Sequence, residues 1–198
     1  MTIQIVKPTD ATQYTDTIGR DCRFAAEWMR NTGLFVGETV SGEACFYPDK
    51  TVSRGEFLAM VIKTLNIPTQ DSYDSSAMAD DTPDWMKPYL AAALRAGLTT
   101  GIPTEDSGVF DAQADITGAA AAVVLQNALD LTATQETAAA EDDAVPTWAA
   151  SSLNTLDSYG ISLTAGEAMT RGQVANALYQ VSQLADTAPG TAVLRIQQ

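Results

Sequence analysis

The chain has 198 residues, 25 of them acidic and 11 basic, for a formal net charge of −14, and 45% are hydrophobic. The hydrophobic share suffices for a packed core and argues against global disorder, while the charge disfavours a nucleic-acid backbone or an anionic membrane as partner. No apolar run reaches the roughly 18–20 residues that span a bilayer, so no membrane insertion is expected, and the absence of histidine removes Ser-His-Asp and Cys-His catalysis.

Residues 1–8 are too polar for a secretory signal peptide. Either the chain works in the cytosol, or a leader or a larger parent protein has been removed. Ile3-Gln4-Ile5-Val6, and Ala192 to Ile196 near the other end, are candidates for short strands. The first predicted helix runs from about Asp21 to Thr32, with Phe24, Ala25, Trp28 and Met29 as its apolar side. Gly33 closes it, and a turn-rich loop with Gly37 and Gly42 follows.

The second predicted helix, about Arg54 to Leu65, has the clearest start signal. Ser53 is a good N-cap, and Glu56 stands at the capping-box position three residues later. Phe57, Met60, Val61, Thr64 and Leu65 fall on one helical face. A third helix covers Asp84 to Ala96, with Thr82 as candidate N-cap, Pro83 at the first helical position and Gly97 past the end. A fourth, Gly118 to Leu131, begins with a run of alanines that allows close helix approach and suits a central position. A fifth opens at Pro146 and Trp148, carries Leu153 and Leu156, and closes at Gly160. A sixth spans Arg171 to Leu184.

These elements repeat. Asp16, Asp80 and Asp143 each precede Asp21, Trp85 and Trp148 by five residues, and Gly33, Gly97 and Gly160 follow twelve later, each with an apolar residue next. Helix starts recur at Ser53, Thr117 and Thr170. The glycine-to-cap spacing is twenty residues in the first two repeats, with Phe46 and Phe110 seven before the cap, but ten in the third, where Leu163 takes the Phe position. Three helix–loop–helix repeats at 14–66, 78–131 and 141–184 are therefore expected, with terminal extensions at 1–13 and 185–198. No single helix pair buries enough surface to stand alone, so the three should fold as one mainly α-helical unit.

This order resembles the S-layer homology (SLH) domain of bacterial cell-surface proteins. The residues that carry the resemblance are Asp80 and Trp85, Gly97-Leu98, Phe46-Tyr47-Pro48, and Ser53-Arg54-Gly55-Glu56 or Thr170-Arg171-Gly172-Gln173. They recur three times across about residues 14–184. The resemblance implies a pseudo-threefold unit around a central helix bundle, with grooves that bind an anionic, often pyruvylated, secondary cell-wall polysaccharide. It implies noncovalent attachment of a parent protein to the wall, outside the cell, and places Gly101 beside a groove. Two departures stand out: Gly118 occupies the basic position in the second repeat, and Asp21 replaces the tryptophan in the first. An alternative is a degenerate SLH-like module that serves structure or protein interaction without binding glycan.

Arg54 and Arg171 offer planar donor forks suited to a carboxylate. Equally, each could pair with an acid of a neighbouring repeat, such as Asp16, Asp80 or Asp143. Asp80 and Asp143 read as turn formers or ligand contacts. Trp85 and Trp148 read as partly buried helix starts or sugar-stacking indoles. Asp71, Asp74, Asp80, Asp81 and Asp84 lack a calcium-loop pattern and read as solvated surface. Cys22 and Cys45 are a candidate disulfide that would staple the first repeat, or else free thiols. Two cysteines without histidine argue against a zinc site. No phosphate-binding loop is present, so neither a cofactor nor enzyme activity is expected.

Overall fold

The computed structural model describes residues 13–70, 82–103, 110–132 and 145–187. Within them the fold is mainly helical: α1 (Arg23–Asn31), a hairpin of β1 (Glu38–Val40) and β2 (Glu43–Cys45), α2 (Arg54–Thr64), α3 (Lys87–Arg95), α4 (Gly118–Leu129), α5 (Thr147–Ser158) and α6 (Arg171–Thr187). The two proposed terminal strands, the acidic residues Asp71 to Asp81, and Asp143 all lie outside the described residues.

The helix starts of α2, α4 and α6 are built alike. Ser53 Oγ accepts from Glu56 N–H, and the Glu56 carboxylate accepts from Ser53 N–H at 3.0 Å. Thr170 and Gln173 make the same reciprocal pair. Thr117 Oγ1 accepts from Ala120 N–H, where alanine cannot return the bond. The ends of α1, α3 and α5 are also alike. Gly33, Gly97 and Gly160 take φ of 72°, 70° and 82°. The following residue donates back five positions, Leu34 to Met29 O, Leu98 to Ala93 O and Ile161 to Leu156 O, at 2.8–2.9 Å. This satisfies carbonyls that a helix end would leave bare.

The residues before the caps tie the chain into a ring. Val52 N–H donates to Met169 O, Met169 N–H to Ile116 O, and Ile116 N–H to Val52 O, at 2.8–3.1 Å. The first helical residues continue the same order: Arg54 N–H donates to Ala114 O, Gly118 N–H to Glu167 O, and Arg171 N–H to Lys50 O. These are N–H groups that no helix can satisfy internally; here each is satisfied by a segment distant in sequence.

Helix packing follows an equivalent cyclic order. The most extensive contacts pair α2 with α3, α4 with α5, and α1 with α6, so the first helix packs on the last. α2 also meets α4 and α6. The centre is correspondingly apolar. Phe57 through Ile62 on α2 and Gly118 through Leu125 on α4 are buried without interruption. The expected single apolar face of α2 is thus widened to an unbroken buried run, because α2 packs against α3, α4 and α6, while Lys63 near its end stays exposed. Each fully buried Phe or Leu contributes about 2–3 kcal/mol.

Two local expectations are corrected, and the cysteines take one of their two expected states. Phe24 is 75% exposed; the buried stripe of α1 is Ala25, Ala26 and Met29, one step round the helix. α3 begins at Lys87 after a turn in which Met86 N–H donates to Pro83 O, so Thr82 does not cap it, and its buried hydroxyl has no hydrogen-bond partner among the described residues. Finally, Cys22 and Cys45 are free thiols. Cys22 is directed at the start of α6, where a Cβ on Gly172 would lie 3.1 Å from its sulfur, while Cys45 stays on the hairpin.

Candidate functional site

The start of α6 delivers Arg171 into the first long loop. Its guanidinium donates to Phe46 O at 2.5 Å and lies 4.2 Å from the Phe35 ring centroid and 5.9 Å from that of Phe46. The residue is only 7% exposed. Burial pushes the guanidinium below its ordinary value, and the Glu56 carboxylate pulls the other way. Among the described residues its ion-pair partners number none: the salt bridges join Arg20 to Asp49, Arg23 to Glu27 and Lys87 to Asp84. Asp16, one expected partner, instead accepts from Phe46 and Tyr47 N–H at 2.7–3.0 Å and pins the returning loop.

Arg171 lines a cleft of about 230 Å³ together with Glu56, Ala59, Met60 and Lys63 of α2 and the indole of Trp85. Trp85 is 53% exposed, a large fraction for an indole. The cleft therefore combines a guanidinium, an ammonium and an aromatic face. Glu56 is the acid among its lining residues, and one of its oxygens is engaged by the Ser53 N–H. An acidic or hydroxylated ring fits this chemistry: fork donors for a carboxylate, and an indole for a sugar face.

The other predicted site residues are dispersed. Arg54 holds its guanidinium 5.9 Å from the Phe110 centroid, as Arg171 does from that of Phe46, and among the described residues its buried Nε has no hydrogen-bond partner. However, neither it nor Trp148 is among the lining residues of the Arg171 cleft. Next to that indole, Ala149 packs with Ala119, Val123 and Ala165, and Ile102 covers them. Val123 stands six residues after its cap, where the first segment has Ala59, and is buried in this cluster. Gly101 is exposed at φ 93° and is not among the lining residues of the cleft. Asp80 and Asp143 lie outside the described residues.

A second depression of about 130 Å³ is lined by Met169, Gln173, Asn176, Ala177 and Gln180, among others. These hold the same places relative to Thr170 that Val52, Glu56, Ala59, Met60 and Lys63 hold relative to Ser53. Its equivalent of Arg171 is Gly118, so it has no guanidinium. A Cβ on Gly118 would collide with the Thr164 carbonyl. The shortened third loop runs directly over the start of α4, which leaves no room for a side chain. The missing arginine and the missing loop are one structural feature.

Sequence reading missed Lys63, which belongs to no motif. Its signal is visible only when the three caps are superimposed: ten residues on, the chain has Lys63, Asn127 and Gln180. No protein-family model matches the chain, and no curated protein matches it significantly. Among the described residues no helix is long and apolar enough to cross a membrane, and no group of three metal-ligating side chains converges.

Proposed function

We propose that the chain is an SLH-like anchoring module. In this reading three repeats pack as a pseudo-threefold unit around a central bundle of α2, α4 and α6. The unit works at the bacterial cell surface, where it holds a parent protein noncovalently to an anionic, pyruvylated secondary cell-wall polysaccharide. The pseudo-threefold reading rests on the cyclic hydrogen bonds of Val52, Ile116 and Met169 and on the matching caps. The binding reading rests on one observation: Arg171 is a buried cation that forms no salt bridge among the described residues, at the wall of a cleft that also exposes Trp85. A buried charge is costly unless an opposite charge compensates it, and an anionic sugar would supply one. The module has one competent cleft, formed by Arg171 and Trp85, and no catalytic role.

The second reading is a degenerate module that serves structure or protein interaction. It is favoured by Gly118, whose closed surroundings remove one cation, and by the net charge of −14.

Sedimentation with purified sacculi, before and after extraction of the wall polysaccharide, separates the two. Anchoring requires pelleting with intact sacculi and release after extraction. Protein that stays in the supernatant with intact sacculi overturns the reading.

A further inference from the structure

We propose that Lys63 is the residue that makes the cleft select a carboxylate-bearing sugar over a neutral one. The assignment rests on the wall-polysaccharide reading and deepens it.

The argument comes from three equivalent positions. Ten residues after their caps stand Lys63, Asn127 and Gln180. Two of them hold down the turn that follows the glycine of their own segment. The Asn127 amide donates to Leu98 O at 3.1 Å and to Thr100 O at 2.9 Å. The Gln180 amide donates to Gly160 O at 3.1 Å. Lys63 makes no such bond. Its side chain enters no hydrogen bond or ion pair among the described residues, and its ammonium stands 5.3 Å from the centroid of Tyr89 on α3. The turn that Lys63 leaves unattended, after Gly33, is instead held by Tyr14, whose hydroxyl donates to Phe35 O at 3.3 Å. The position is thereby released from its structural duty, and a cation replaces an amide at a cleft that also holds a guanidinium and an exposed indole.

Charge counting gives the ligand class. Among the described residues that line the cleft, Arg171 and Lys63 contribute two positive charges and Glu56 one negative, so this lining carries a surplus of one positive charge against a protein of net charge −14. A sugar with a single carboxylate balances it. A neutral sugar would leave Arg171 uncompensated and gain nothing from Lys63. Because Lys63 is solvent-exposed, its effect is moderate and screened by salt.

The test uses polysaccharide released from sacculi, and the same polymer with its carboxyl groups reduced to alcohols, against the full chain and two variants. Lys63→Gln installs the amide type found at Gln180. Lys50→Gln removes an exposed cation outside the cleft. The wild type is expected to bind the native polymer in preference to the reduced one. Lys63→Gln should lose about fivefold on the native polymer, lose nothing on the reduced one, and show weaker salt dependence. Lys50→Gln should match the wild type, and all three should melt alike. If the wild type binds neither polymer, the wall reading falls and the role of Lys63 with it. If the wild type binds both polymers equally, or the two variants lose affinity equally, the role of Lys63 is overturned while the wall reading stands.

Discussion

Gly118 faces the Thr164 carbonyl so closely that no Cβ fits between them. The contact joins the first residue of α4 to the shortened third loop, and a nearby bond from Ala119 N–H to Ala165 O at 3.1 Å holds the loop there. Gly118→Ala is expected to destabilise by about 1–3 kcal/mol, the usual range for overpacking, although alanine has the better helix propensity. Thermal or urea unfolding checks this. An unchanged or raised melting temperature would show that the loop moves aside at no cost.

Arg171 separates stability from binding. Its stem and guanidinium pack on Phe35 and Phe46, and no carboxylate of the described residues forms a salt bridge with it. Arg171→Met keeps an apolar stem on those rings, so the folded state should lose less than about 1 kcal/mol, or gain, because the desolvated charge is gone. Arg171→Ala should cost more through lost packing. Both should lose sacculus binding. A methionine variant that binds as the wild type does would assign Arg171 to packing alone.

Tyr14 predicts alkaline sensitivity. It is 1% exposed, and burial pushes its phenol above the ordinary value of 10.0, with Arg30 opposing. The folded-state value lies above the unfolded one, so above the ordinary value the unfolded chain releases this proton first. The Tyr14 contribution is therefore intact below the ordinary phenol range and declines as pH rises through it. Melting temperature measured from neutral to about pH 11 should fall, and Tyr14→Phe should flatten that fall while it forfeits the bond to Phe35 O. Parallel curves for the two proteins would exclude Tyr14 as the cause.

Cys22 and Cys45 should differ in reactivity. Cys22 is buried against Gly172, and burial raises its thiol pKa, which lowers its thiolate fraction. Cys45 is only half-buried on β2. Iodoacetamide applied to the folded protein should label Cys45 first and Cys22 only on unfolding, as read by mass spectrometry of peptides. Equal labelling rates, or no labelling of either under denaturing, non-reducing conditions, would contradict the free, unequal thiols of the structure.

The short-range features were legible because their chemistry is local. A serine or threonine followed three residues later by a glutamate or glutamine marks a capping box, as at Ser53 and Thr170. A glycine before an apolar residue marks a helix end, as at Gly97-Leu98. α2, α4 and α6 begin at the expected residues. Thr82 misled because its proline neighbour suits a helix start, whereas the chain first makes a separate turn ending at Met86. Phe24 misled because an apolar side chain next to a buried stripe looks like part of it, and only the position of α6 decides which side of α1 is covered.

The sequence alone determined where α2, α4 and α6 start and that a glycine closes α1, α3 and α5, because each signal is satisfied within a few residues. Only the tertiary structure decided that α1 packs on α6, which Arg171 shares a cleft with Trp85, and why Gly118 carries no side chain. Those outcomes depend on which distant backbone groups meet, and hydrogen bonds such as Val52 N–H to Met169 O leave no pattern in the linear order of residues.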